Sequence, residues 1–163
     1  MLIRRARTGD VKAIRALVDA YTTDRRLLSK ATVTLYEAVQ EFWVADDGEK
    51  VVGCGALHVM WEDLAEIRTV AVDPSRRGEK IGHGIVAALL EQARELGVNR
   101  VFCLTFETRF FGSFGFAEID GAPVPHSVYE QLLRSYDEGV AEFLDLERVK
   151  PNTLGNTRML LKL

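Results

Sequence analysis

The sequence is poor in several things at once. It has two cysteines and three histidines in 163 residues. Cys54 and Cys103 lie far apart, each inside an apolar run, and read as buried, reduced thiols; with so few imidazoles beside them no metal site is expected. Positive charge is not in excess: the formal net charge is −3, which argues against nucleic acid as a partner while leaving room for a local basic pocket that takes a polyanion. No run approaches membrane-spanning length, and the opening MLIRRAR lacks the apolar core of a leader peptide, so no membrane association and a cytoplasmic location are expected. The phosphate motifs GxxxxGK[ST] and GxGxxG are both absent. So are internal repeats, linkers and low-complexity segments.

What is present reads as a single domain over residues 1–163. Hydrophobic residues make up 47% and charged residues 28%, globular proportions in a chain long enough to bury a core. Ile3-Arg4-Arg5 opens as a strand. Val11, Ile14, Leu17, Val18 and Tyr21 mark one face of a helix that Thr8 or Asp10 can cap. A second helix is expected over residues 32–40. Residues 42–45 and 50–60 form a hairpin around Asp46-Asp47-Gly48, and a turn at 61–63 leads into the strand Leu64–Val72. Further along, residues 101–105 read as a buried strand and 108–114 as a short helix ended by Gly115. A strand is expected at 116–119. Ser127-Val128-Tyr129-Glu130 has the form of a capping box, which predicts a helix to about Glu138 with Gly139 as terminator. Residues 143–146 read as a strand, 150–155 as a loop and 157–163 as the closing strand.

The most informative stretch is 64–97. Period-two alternation puts Glu66, Arg68, Val70 and Val72 on one side of the strand, which Asp73-Pro74 stops. From Ile81 the residues Ile85, Val86, Leu89, Leu90, Ala93 and Leu96 follow helical spacing up to Gly97, a C-cap. Between strand and helix lies Arg77-Gly78-Glu79-Lys80-Ile81-Gly82-His83-Gly84. A glycine-containing turn that opens a helix presents unpaired N–H groups and a positive dipole end, which suits a pyrophosphate.

This stretch resembles the acyl-CoA motif R/Q-x-x-G-x-G/A of the GNAT N-acetyltransferase superfamily, here Arg77 to Gly82 after Val70-Ala71-Val72-Asp73-Pro74. Lys80 stands where that motif usually has its first glycine. Phe110-Phe111-Gly112-Ser113-Phe114-Gly115-Phe116 resembles the family's aromatic–x–x–x–G–F helix. The resemblance implies an α/β (α+β) GNAT fold, a mixed central sheet with splayed strands flanked by helices. It implies acetyl-CoA as cosubstrate, held by Val70, Ala71, Val72, Arg77, Gly78, Glu79, Lys80, Ile81, Gly82, His83, Gly84 and Phe111.

Acetyl transfer to an amine needs a base, a donor to the thioester oxygen and an acid for the thiolate. Glu66 is the candidate base through a bound water; the alternative is an exposed strand carboxylate paired with Arg68. A backbone N–H near Val70 is the candidate oxyanion donor. Phe111 occupies a position where many members carry tyrosine and cannot donate a proton, which leaves Tyr136, a water or solvent. Leu27-Leu28-Ser29-Lys30, residues 66–72, residues 104–108 with Phe111, and Asn156-Thr157-Arg158-Met159-Leu160 further resemble the acetyltransferase domain of N-acetylglutamate synthases, in a short stand-alone form. That resemblance implies Lys30, Asn156 and Arg158 as ligands of an amino acid's carboxylates with Arg68 assisting; for each cation the alternative is a solvated surface charge. It implies transfer to the α-amine of glutamate or glutamine, the first step of arginine biosynthesis, and a homodimer is common in the family. The rival readings are acetylation of another small amine or a protein N-terminus, and a non-catalytic CoA-binding regulatory module.

Overall fold

In the computed structural model, which describes residues 1–22 and 31–163, the Asp46-Asp47-Gly48 turn forms where the sequence places it. The Asp47 carboxylate accepts from the main-chain N–H groups of Glu49 (2.9 Å) and Lys50 (2.8 Å). Gly48 takes a φ of 97°, a conformation that side chains resist. The turn joins strand β2 (Phe42–Asp46) to β3 (Val51–Trp61), and β1 (Leu2–Arg5) pairs antiparallel with β2. The remaining strands are β4 (Leu64–Val72), β5 (Arg100–Thr105), β6 (Ala117–Glu118) and β7 (Thr157–Lys162). Among the described residues the hydrogen-bonded order is β1-β2-β3-β4-β5-β7-β6. β5 runs parallel to β4, in register from Leu64↔Arg100 to Glu66↔Phe102, and antiparallel to β7, so the sheet is mixed.

The chain divides into two compact units. One comprises Met1–His58 and Ile67–Gly97, the other Val59–Glu66 and Val98–Leu163. In the first, helix α1 (Val11–Thr22) buries Val11, Ile14, Leu17 and Val18, and α2 (Thr32–Glu37) buries Leu35. These pack with Phe42, Val44, Cys54, Ala56 and Ala71 in a single apolar cluster. Helix α3 (Ile81–Leu96) buries Ile81, Ile85, Val86, Leu89, Leu90 and Ala93; Leu96, expected in that stripe, is exposed. Two glycines of β3 admit α3. A Cβ on Gly53 would lie 2.8 Å from the Ile81 and Ile85 side chains, and one on Gly55 would lie 2.7 Å from Ile85. Glycine inside a strand often marks such an approach of another element to bare backbone. The second unit is built on Met60, Leu64, Phe102, Leu132, Val140, Phe143, Leu144 and Leu160, with the Phe102 and Phe143 rings edge to face at 5.0 Å.

The second unit also corrects the sequence reading. The long helix expected from residue 127 to Glu138 ends at Leu132 as α5 (His126–Leu132), and a separate helix, α6 (Glu138–Phe143), begins where the expected one was to close. Pro125, not Ser127, is the N-cap of α5. Ser135 accepts from the Asp137 N–H, and Asp137 then caps α6 by accepting from Val140 N–H, local bonds that compete with helix continuation. Gly139 therefore lies inside a helix instead of ending one. Residues 143–146 form no strand: Val140, Ala141, Phe143 and Leu144 are buried at helical spacing. Residues 150–153 make a one-turn helix, α7 (Lys150–Thr153), and the strand expected over 116–119 shortens to β6. The short helix after β5, α4 (Thr108–Gly112), takes Glu107 as its N-cap, and Gly115 follows with a φ of 100°.

Candidate active site

In the first unit the site begins with a break in β4. Thr69 has a φ of 58°, left-handed, and is buried at 7% exposure. A β-branched residue in that region is an outlier, and inside a strand it bends the chain locally. Glu66 and Arg68 therefore precede a bend that Val70 and Val72 follow; burial still alternates across it, with Arg68, Val70 and Val72 half-buried between the buried Ile67, Thr69 and Ala71, while Glu66 is buried. The Cys54 thiol lies at the bend: it donates to the Thr69 carbonyl (3.5 Å) and the Ala71 N–H donates to it. Burial pushes the Cys54 thiol up to about 12, which removes it as a nucleophile at neutral pH. Beyond the bend, the Tyr21 hydroxyl donates to the Val72 carbonyl at 2.5 Å, and Asp73 accepts from the Ser75 N–H and hydroxyl.

The turn that follows is set by backbone conformation. Gly78 has a φ of 86° and Lys80, at the N-cap of α3, has a φ of 62°. The left-handed state at Lys80 costs about 1–2 kcal/mol, which glycine would avoid. Lys80 makes no side-chain capping bond, so the Ile81 and Gly82 amides in the first turn of α3 are not served by the usual capping oxygen. Left-handed residues ahead of a 16-residue helix make a concavity of amides and a positive dipole end, a fit for an anion. Gly84 sits against the Ile3 side chain, 3.4 Å from where its Cβ would be. Glu79 is not a bare charge: its carboxylate is gripped by Arg76.

In the second unit Glu66 is buried at 3% exposure, opposite Phe102. The exposed-carboxylate alternative for Glu66 is thereby overturned: Leu64, Ala65, Glu66 and Ile67 are buried in succession, so both faces of this stretch of β4 are covered. Burial first, and the Glu66 charge after it, raise the pKa of the Cys103 thiol, and the same charge favours the protonated form of Arg158. Burial acts first on Arg158 and lowers its pKa from the ordinary value, with Asp145, Glu66 and Asp120 opposing. The Arg158 guanidinium lies 5.0 Å over the Phe102 ring. It donates to the carbonyls of Gly121 (2.7 Å), Glu142 (2.7 Å) and Phe143, so that it caps the C-terminal end of α6. Its Nε also donates to Gly121, which commits four of its five N–H donors to main chain. Phe111 is buried, with Phe110 and Phe116 edge to face at 5.0 and 5.3 Å. Asn156 follows Gly155, whose φ is 84°, and leads into β7. Tyr136 stands wholly in solvent. Lys30 lies outside the described residues.

Val70, Ala71, Val72 and residues 77–84 thus fall together in the first unit with Arg68, while Glu66, Phe111, Asn156 and Arg158 fall in the second. Sequence reasoning missed Thr69, Cys54, Asp47 and Arg76 as parts of the site's support. The spacing of Gly53 and Gly55 in an otherwise apolar strand was a usable signal for the docking of α3; the bend at Thr69 had none. Among the described residues no group of three or more His, Cys, Asp or Glu could hold a metal ion, and no helix is long and apolar enough to cross a membrane.

The model of the acetyltransferase (GNAT) family matches residues 12–117. The chain belongs to the GNAT family. Its relatives in that family include an amino-acid acetyltransferase of Mycobacterium tuberculosis, 63% identical over 165 residues, covering 99% of this chain and 94% of that protein. A solved structure from the same organism, in complex with CoA and NLQ, superposes with a TM-score of 0.96 at 63% identity, covering 100% of this chain and 99% of that one. The N-acetylglutamate synthase of Neisseria gonorrhoeae, complexed with coenzyme A and N-acetyl-glutamate, shares the fold with a TM-score of 0.78 at 22% identity. The match covers 99% of this GNAT chain and 35% of the synthase.

Proposed function

We propose that this chain is an amino-acid N-acetyltransferase that moves the acetyl group of acetyl-CoA to the α-amine of L-glutamate or L-glutamine. It works in the cytoplasm, at the first step of arginine biosynthesis. The observation that carries the reading is the 63% identity over 99% of the chain to an amino-acid acetyltransferase. The left-handed bend of β4 directly after Glu66 and Arg68, and the uncapped first turn of α3, support it from the geometry.

Acetyl-CoA supplies an acyl carbon activated by its thioester. The main chain of 77–84 receives the pyrophosphate, with Val70, Ala71 and Val72 alongside the pantetheine, and Phe111 is assigned to the cofactor as well. Lys30, Arg68 and Asn156 hold the carboxylates of the amino acid, and Arg158 contributes its remaining donor or acts by fixing the segment around it. Glu66 takes one proton from the substrate ammonium through a water. The neutral amine then attacks the carbonyl carbon, the Val70 N–H donates to the oxyanion, the C–N bond forms and the C–S bond breaks. The amine sheds its second proton, and the departing thiolate gains one from solvent, because Phe111 has none to give. No acetyl-enzyme forms, since both thiols are buried and held protonated.

The test is release of free CoA thiol from acetyl-CoA against each of the twenty amino acids, with the acetylated product identified by mass. Turnover confined to glutamate and glutamine is expected. Measurable acetyl-CoA binding without turnover on any amino acid would contradict the assignment.

A further inference from the structure

Arg76 is held from two sides. Its Nη1 donates to Asp47 Oδ2 at 2.8 Å, while Nε and Nη2 donate to Glu79 Oε2 (2.5 Å) and Oε1 (3.1 Å). Asp47 is fixed in turn, because its other oxygen, Oδ1, accepts from the Glu49 and Lys50 amides. Those two amides, followed by Arg76, hold the Asp47 carboxyl down at about 2, so it is ionised at any working pH. The side chains of Arg76 and Asp47 are 26% and 18% exposed, less open to solvent than an ordinary surface pair. A second tie, Lys50 to Asp73 at 3.3 Å, joins the same two segments. The β2–β3 turn is thereby strapped to the loop between β4 and α3. That loop carries the two left-handed residues Gly78 and Lys80, and Glu79 is the one carboxylate within residues 77–84.

We propose that Arg76, anchored on Asp47, is a positioning residue for the pyrophosphate of acetyl-CoA. By gripping Glu79 it neutralises the carboxylate that would repel the anion, and it keeps the strained backbone of 78–80 in the form that presents the α3 amides. This rests on residues 77–84 being the acetyl-CoA turn.

The test compares acetyl-CoA with acetyl-pantetheine, which carries the same thioester without the pyrophosphate, using L-glutamate as acceptor. Two variants are informative. Arg76→Ala removes the strap. Asp47→Asn keeps Oδ1 for the turn amides but replaces Oδ2 with an NH2 that cannot accept from Arg76, and it deletes a negative charge. The expected result for both is a rise of about tenfold in KM for acetyl-CoA, the loss of one charge-assisted contact's worth of loop order, with kcat retained and no change on acetyl-pantetheine. A pure charge effect would lower KM in Asp47→Asn, and that outcome overturns the proposal. Equal losses on both thioesters overturn it as well, by showing a general structural role. A wild-type enzyme with the same KM for both thioesters would instead overturn the reading of 77–84 as the acetyl-CoA turn.

Discussion

Thr69 adopts a backbone that β-branched residues avoid, and the surroundings hold it there. Part of the hold comes from Cys54, whose thiol bonds the main chain on both sides of the bend while being wholly buried. Cys54→Ala deletes both contacts and leaves a small void. Thermal denaturation should show a loss of about 1–2 kcal/mol, and kcat should fall several-fold with KM for acetyl-CoA little changed, since the α3 turn is untouched. Cys54→Ser, which restores a donor and acceptor, should recover part of the kcat. A Cys54→Ala enzyme with wild-type kcat would show that the bend does not depend on the thiol. None of this was legible in the sequence: a threonine between Arg68 and Val70 fits an ordinary strand, and nothing local marks a left-handed residue without glycine or asparagine. The burial of Glu66 was equally hidden, because alternation orders the faces of a strand but not which stretch a neighbour covers.

At the scale of elements, β4 and α3 were readable because their signals are local. Asp73-Pro74 ends the strand, six apolar residues repeat at helical spacing, and Gly97 closes the helix with a φ of 86° while its N–H bonds the Ala93 and Arg94 carbonyls. The segment 126–153 was not, since Val140, Ala141, Phe143 and Leu144 suit a strand or a helix by composition alone. Arg158 decides part of that region from a distance in sequence, by accepting the role of α6 C-cap, which no local pattern announces. The docking of α3 gives an element-level expectation. Gly55→Ala would place a methyl 2.7 Å from Ile85 Cγ2 and 3.1 Å from Leu89 Cδ1. Ile85 Cγ2 is a methyl on the β-branch point and moves only by a change of χ1, which a helix strongly restricts for isoleucine, so α3 must shift. Overpacking of this kind costs about 1–3 kcal/mol, read as a lower Tm, and should raise KM for acetyl-CoA by moving the first turn of the helix. An unchanged Tm would mean the helix is looser on β3 than the packing implies.

For the molecule as a whole, fold and family followed from the order of elements and two short motifs, and the match of the family model over residues 12–117 agrees with that reading. The residues proposed for the amino acid were less accessible to sequence. Arg158 turned out to spend most of its donors on main chain, a role that its residue type shares with carboxylate binding. Glu66 remains the residue on which the chemical account depends, because it is the carboxylate buried on β4 ahead of the bend. The most direct measurement is kcat for Glu66→Gln on L-glutamate, paired with the Kd of acetyl-CoA by calorimetry. The account predicts that kcat falls by about 10²-fold or more while Kd is unchanged, because the amide cannot take the proton and the turn proposed for acetyl-CoA, 77–84, lies elsewhere on the chain. A Glu66→Gln enzyme that keeps wild-type kcat across pH would contradict it.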